Sequence, residues 1–428
     1  MRKRICFLLL VILMAILYAA CADKADPPPP AGEVTDPAPT TAAPTEQTRK
    51  PTLIDKTFLA PDRYCVAGSG EEGAAIKIEG GLKPVTGKVI DGQFIIELFV
   101  ENQTSKDVTL SVYAVAEGKL ESEPLAVTVG KNEPRDHKPM CVGKENHIHY
   151  NETIDDFLGR GLFDDNQLDR MRLGAENLQR QLDDAGLSTK LVIFVSPNHG
   201  TIYPETMPDF LAEQKESDNS RLKQLTELFR GSVVKFINPY DRLMKEKENY
   251  FIYNRTDTHW NELGAYFGYC ELFDYIGETF PAAKPRPMED FNIYQANVNG
   301  GDIIPMFPFD QNLIIENTYV VRIKESSVRE LHRDDTNEIA YQEGRYHAFQ
   351  EYNRSAAAEQ PTILMYRDSF SISMMSPIAE TSKRVIFHNM WDYNIDMDYV
   401  KSVNPDFIVV QRVERILYDL PSVFRKFR

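Results

Sequence analysis

Two short stretches of this chain carry the residue types that acyl transfer needs. The first is Arg255-Thr256-Asp257-Thr258-His259-Trp260-Asn261. Asp257 and His259 stand two residues apart, just ahead of a helical pattern. In a loop or extended turn this spacing lets the carboxylate accept the imidazole Nδ1–H. That contact fixes the tautomer and supports the imidazolium when Nε2 takes a proton. An Asp-x-His pair alone is a weak sign in a chain with eight histidines. The second stretch is Leu364-Met365-Tyr366-Arg367-Asp368-Ser369-Phe370-Ser371. It runs from a buried-strand pattern through a turn into a helix. Ser369 falls at the junction, where helix N-terminal N–H groups can stabilise an oxyanion. A nucleophilic serine needs that exposure and an adjacent base. Taken alone, Asp368-Ser369 reads more simply as a helix cap.

The elements around these stretches place both on one edge. Asn166 to Ala185 has the period of an amphipathic helix, with Leu168, Met171, Leu178 and Leu182 on one face and Gly186 to close it. Apolar runs at 190–195, 233–237, 362–366, 384–387 and 407–411 alternate with helical patterns at 220–230 and 261–279. Such a sequence predicts an α/β fold: a parallel sheet with helices on both faces and ligands beyond the carboxyl ends of its strands. Asn261 is the expected cap of the helix that follows His259. Residues 281–360 interrupt the alternation with a polar stretch, read as an insertion that caps or walls the site. Ahead of this 142–428 domain, residues 52–140 read as a small all-β, sandwich-like domain. Ala75–Glu79, Gln93–Val100, Val108–Val115 and Leu125–Val129 are strand-like, and Gly80-Gly81, Asp91-Gly92 and Glu117-Gly118 supply turns. Its expected role is that of a spacer or modest binding module.

The N-terminus reads as a secretory signal over residues 1–21. Arg2, Lys3 and Arg4 precede a short apolar run that ends at Tyr18-Ala19-Ala20-Cys21. It is short for a membrane span. Residues 22–51 are rich in Pro, Thr and Ala, with little to bury, and are expected to form a disordered tether. Of the remaining cysteines, Cys65 and Cys141 flank the β domain and are candidates for a disulfide in an oxidising compartment, while Cys270 fits an apolar helix. The net charge of −16, without a basic cluster, excludes nucleic acid as an expected partner. No phosphate-binding or dinucleotide glycine motif is present, and no cofactor is expected.

The two motifs together resemble the AlgX/AlgJ group of SGNH-hydrolase-like proteins, known for O-acetylating extracellular polysaccharides. That group carries an Asp-Thr-His-Trp motif before a helix and, later, a Gly-Asp-Ser-Phe-like nucleophile motif. Here they are Asp257-Thr258-His259-Trp260 and Asp368-Ser369-Phe370. Two further stretches fit: Ser196-Pro197-Asn198-His199-Gly200-Thr201-Ile202-Tyr203-Pro204-Glu205, with His199 where Lys is common, and Pro405-Asp406 leading to Val413-Glu414-Arg415. The similarity spans roughly residues 142–428. It implies an SGNH-like fold and a catalytic triad of Ser369, His259 and Asp257. It also implies an acetyl donor and a polysaccharide acceptor, with a membrane acyl-transfer protein as a possible partner. Cys21 resembles a lipobox cysteine, implying a lipid-anchored, extracytoplasmic protein of a bacterial surface, although Tyr18 holds the usual Leu place.

Arg367 replaces the glycine of the nucleophile motif. It is either a guanidinium near developing charge or a surface arginine at a strand end. Asn198 is the candidate for the oxyanion asparagine. Trp260, Trp391 and Tyr203 are candidates for stacking on sugar, with core packing the plain alternative for each. His147-x-His149 lacks a third metal ligand at sensible spacing and reads as surface. Three functions remain in play: O-acetyltransferase, carbohydrate acetylesterase with the same triad, and a non-catalytic glycan-binding or envelope-assembly protein.

Overall fold

A computed structural model describes residues 44–60, 62–100, 107–130, 140–307, 309–333, 349–354, 357–389 and 395–427. The signal, Cys21, the stretch through Ala43 and Trp391 lie outside the described residues. Strand alternation decides the first layer. In β3 (Ala75–Glu79), Ile76 and Ile78 point inward while Lys77 and Glu79 face water. The strands β1 (Thr52–Ala60), β2 (Arg63–Ser69) and β5 (Gln93–Phe99) form one antiparallel sheet. The second sheet holds β3, β4 (Thr86–Lys88), β6 (Val108–Val115) and β7 (Leu125–Val129). Between them lies a core that includes Val66, Ile76, Phe94, Leu110 and Val127. This is the expected sandwich. Its N-terminal approach is packed chain from at least Glu46: Leu120 N–H donates to Glu46 O at 2.8 Å, and Thr48 is buried.

The second layer starts with a short hairpin of β8 (Met140–Val142) and β9 (Ile148–Tyr150) and continues into the α/β sheet. That sheet is built from β10 (Lys190–Ser196), β11 (Lys235–Ile237), β14 (Arg329–Arg333), β15 (Phe349–Asn353), β16 (Thr362–Arg367), β17 (Arg384–Asn389) and β18 (Phe407–Val413). The order is β11-β10-β18-β16-β17-β15-β14. The five strands read from the sequence are the parallel ones. β15 and β14, from the polar 281–360 stretch, add an antiparallel edge. The same stretch also forms an antiparallel hairpin of β12 (Phe291–Asn299) and β13 (Ile315–Ile323).

Helices cover both faces. The helix Asp165–Asp184 opens with a reciprocal capping box between Asp164 and Gln167 and buries Met171, Ala175, Leu178 and Leu182 against one face. The helix Glu262–Thr279 lies on the other, with Leu263, Phe267, Leu272, Phe273 and Ile276 in the core. Asn261 Oδ1 accepts from the N–H groups of Leu263 and Gly264, so it is the cap the sequence predicts. Burying an aromatic or branched side chain of this kind contributes about 1.5–3 kcal/mol.

The sandwich and the α/β layer share apolar contacts. Cys65, Ala67 and Ile95 on the outer face of β2 and β5 pack with Met140, Ile148, Ile303, Ile304 and Phe307. Asp91 pairs with Arg255 at 3.0 Å, two residues before Asp257. The sandwich therefore packs against the segment that carries the motif.

Candidate active site

Ser369, His259 and Asp257 form a continuous chain of hydrogen bonds. His259 Nε2 is 2.8 Å from Ser369 Oγ, and His259 Nδ1 is 2.7 Å from Asp257 Oδ1. Asp257 Oδ1 also accepts the His259 N–H at 2.9 Å, so the carboxylate grips the backbone and ring of the same residue. Burial pushes the Asp257 carboxyl upward, but the hydrogen bond and charge of His259 outweigh it and the net shift is downward. An ionised Asp257 is the form that stabilises an imidazolium.

A second carboxylate lies beside the pair. Asp302 N–H donates to Asp257 Oδ2 at 3.0 Å, and Asp302 Oδ2 is 3.5 Å from His259 Nδ1. Thr258 holds Asp302 in place through its N–H at 2.7 Å and its Oγ1 at 2.8 Å. Burial and the negative charge of Asp257 push the Asp302 carboxyl up. Asp257, His259 and Asp302 are close enough to share a cation, yet donors of the protein itself already meet the carboxylate oxygens. Sequence reasoning missed Asp302 because it sits in the polar insertion, 45 residues from Asp257. Its only local signal is Gly300-Gly301-Asp302, a tight turn. Beneath the loop, buried Glu316 accepts from the N–H groups of Arg255 and Thr256 and from Thr256 Oγ1. Burial raises its carboxyl to about 6.

The nucleophile turn is held from three sides. Asp368 Oδ1 accepts from Phe370 N–H at 2.8 Å and Asp368 Oδ2 from Val413 N–H at 2.5 Å. Gln411 Oε1 accepts the Asp368 N–H at 2.8 Å. Trp260 is buried, and its Nε1–H donates to Phe370 O at 2.8 Å, tying the base loop to the nucleophile turn. Ser369 opens a 3-10 turn that leads into the helix Ile372–Glu380. Its N–H stands where a helix start leaves donors without intrahelical acceptors. The triad opens on a cleft of about 340 Å³ whose walls include Asn254, Val298, Thr318, Val320 and Ile372. A larger cleft of about 730 Å³ near Leu222 and Tyr240 holds no base–nucleophile pair.

Several predicted residues stand elsewhere. Asn198 is buried in a polar network: its Nδ2 donates to Asp156 at 3.0 Å and its Oδ1 accepts from Arg415 N–H at 3.1 Å. Arg221 completes the network with a bidentate contact to Asp156, and Glu414 accepts from Asn198 N–H and Thr201. Asn198 thus shapes the loop after β10 and does not line the cleft at Ser369. Arg367 is neither a surface residue nor a cleft residue. It is buried, with its Nη atoms 3.4 Å from Asp368 O and Gln350 Oε1. Tyr203 is packed among His147, His199 and Tyr253, and its hydroxyl accepts from Ile252 N–H.

His147 and His149 are buried, contrary to the surface reading. His199 is the third member of their cluster: His147 Nδ1 is 2.8 Å from His199 Nε2, and the rings of His149 and His199 are 4.9 Å apart. Burial pulls all three below the ordinary histidine range, His149 to about 4. Cys65, Cys141 and Cys270 are buried free thiols, so the expected Cys65–Cys141 bridge is absent from the structure.

The parallel strands with helices on both faces give an SGNH-like fold, and the Asp257, His259 and Ser369 relay lies beside the turn that follows β16. Residues 157–336 match the family described as "SGNH hydrolase-like domain, acetyltransferase AlgX". Over that stretch the chain is similar to the AlgX-type domain, and the AlgX/AlgJ-like resemblance read from the motifs holds. The matched stretch contains Asp257 and His259 and ends before Ser369. Among solved structures, a DHHW family protein from Eubacterium siraeum is similar at 11% identity, over 74% of this chain and 95% of that one, with a TM-score of 0.46. Bacillus cereus PatB1 is similar at 17% identity over 61% and 93% of the two chains, with a TM-score of 0.45. The O-acetyltransferase domain of Pseudomonas putida AlgJ is similar at 16% over 66% and 92%, with a TM-score of 0.41. No curated protein matches the chain. Among the described residues, no helix is long and apolar enough to cross a membrane.

Proposed function

We propose that this protein is an extracytoplasmic serine O-acetyltransferase acting on hydroxyls of a cell-surface or secreted polysaccharide. The observation that carries the reading is the unbroken relay from Asp257 through His259 to Ser369. His259 Nε2 takes the Ser369 proton as Oγ attacks the carbonyl carbon of an acetyl donor. The Ser369 N–H, at the start of the turn, faces the oxyanion that develops. His259 then protonates the leaving group, and an acetyl-Ser369 enzyme remains. A sugar hydroxyl resolves it with the same base. Similarity to the AlgX-type domain supports acetyl transfer as the chemistry.

Esterase activity uses every one of these residues, with water as the acceptor. Incubation with a chromogenic acetyl ester, with and without oligosaccharides, separates the two. Transfer predicts acetylated sugar; free acetate alone would assign an esterase. A glycan-binding scaffold would give neither product. The location follows from the signal pattern: lipidation at Cys21 and a Pro-rich tether would hold the enzyme at the outer face of a membrane, where a membrane acyl-transfer protein can supply acetyl groups. Metabolic labelling with a radioactive fatty acid tests the anchor. Label retained in a Cys21→Ala variant would refute it.

A further inference from the structure

Resting on the acyl-transfer reading of Ser369, we propose that Asn254 holds the acceptor hydroxyl beside His259, and that the acceptor is an uncharged sugar laid along the cleft-lining side of the β12–β13 hairpin. Tyr253 and Trp260 form an antiparallel bridge. Asn254 and His259 are the next residues inward on the two arms of that loop, so they stand opposite each other. Both line the cleft with Ser369. Thr318 Oγ1 donates to Asn254 Oδ1 at 2.6 Å, which anchors the carbonyl end of the amide. The Nδ2 end has no protein partner among the described residues. An amide nitrogen only donates. It can therefore hold an acceptor oxygen by a lone pair and leave the hydroxyl proton free for His259.

The second half-reaction balances on these groups. The acceptor O–H proton passes to His259 Nε2. The acceptor oxygen bonds to the acetyl carbonyl carbon, and the bond from that carbon to Ser369 Oγ breaks. Oγ takes the proton back from His259. Water can follow the same course, so a transferase needs contacts that water cannot use. The hairpin supplies them. Register places Tyr294 opposite Val320 and Ala296 opposite Thr318, and directly opposed residues share a face. Val298, Thr318 and Val320 of that face line the cleft. Tyr294 is 49% exposed and Val298 39%, with Ile372 across the cleft 53% exposed. Together they form a ledge with an aromatic ring, suited to the apolar face of a sugar. Among the described residues that line the cleft, Arg322 is the only arginine or lysine, and it is paired with Glu262, so the cleft wall offers an acidic sugar no free cation.

The test measures the ratio of acetylated sugar to free acetate from a chromogenic acetyl ester, using a panel of neutral methyl glycosides and oligosaccharides beside a uronic acid glycoside. The expected result is transfer to neutral members, with the ratio about tenfold lower in Asn254→Ala, a loss of about 1.4 kcal/mol. Asn254→Asp, which keeps the size but accepts instead of donating, should match it. Thr318→Val should lower the ratio less, and Tyr294→Ala should raise the acceptor KM. An unchanged ratio in both Asn254 variants overturns the proposal, as does an equal fall in both products. Preference for the uronic acid, or hydrolysis alone with the whole panel, overturns the acceptor assignment while leaving the Ser369 acyl-enzyme intact. A wild-type protein that never becomes acylated overturns both.

Discussion

Gly301 lies against Asp257 with no room for a side chain between them. A Cβ built at Gly301 would fall 2.4 Å from Asp257 Cβ and 2.7 Å from Thr256 O. The turn that carries Asp302 can therefore reach the base loop only with glycine at this place.

Gly301→Ala should push Asp257 off its contact with His259. A displacement of this kind can cost about 100-fold in rate. The expected outcome is a loss of that order in kcat for acetyl-ester turnover, with only a modest fall in Tm. Wild-type kcat in this variant would show that the Gly301–Asp257 contact is not needed.

Asp302→Asn tests the second carboxylate. The backbone N–H that holds Asp257 stays, but the negative charge 3.5 Å from His259 Nδ1 goes. A partly exposed carboxylate at that distance supports an imidazolium by about 1 kcal/mol. We expect kcat to fall about fivefold with Tm nearly unchanged. Equal kcat would make Asp302 a structural residue only.

Asp368→Ala should act on stability and rate together. It strands the buried N–H groups of Phe370 and Val413, each costing about 1–3 kcal/mol. Tm should drop by several degrees, measured by scanning calorimetry, and the Ser369 turn should lose its position. A variant as stable as the wild type would contradict the assigned role.

The histidine cluster sets an acid limit on the fold. His149 titrates near 4 in the folded protein against an ordinary 6.5, because it is buried. Unfolding lets the imidazole take a proton, so its penalty on the folded state is absent above pH 6.5 and grows as the pH falls to about 4. The full effect is about 3 kcal/mol for His149 alone. His147 and His199 act in the same direction. Tm should fall steeply between about pH 6.5 and about pH 4, and His149→Gln should flatten that slope. An identical slope in the variant would show that the cluster does not govern acid stability.

The parts legible in the sequence were those written in neighbouring residues. Asp257 and His259 share one loop, Ser369 follows its own strand, and five apolar runs gave the parallel strands. What the sequence hid depends on chain segments that meet only in the fold. Asp302 and Thr318 reach the site from the polar insertion, whose β12–β13 hairpin has no clean apolar alternation. Asn198 sits where a motif reader looks for an oxyanion donor, but Asp156 and Arg415 claim its amide. His147 and His149 looked exposed because their spacing gave no third partner. That partner, His199, comes from the loop after β10. β2 was missed because Ala67, Gly68 and Ser69 in its second half carry little strand preference.

Acetyl transfer in the proposed reaction passes through an ester on Ser369. The most direct test is mass spectrometry of protein quenched shortly after mixing with a chromogenic acetyl ester. The wild type should gain one acetyl group on the peptide containing Ser369, with no such gain in Ser369→Ala and a far slower one in His259→Ala. Acetyl-ester turnover that persists in Ser369→Ala, with Ser369 unmodified in the wild type, would rule out Ser369 as the nucleophile.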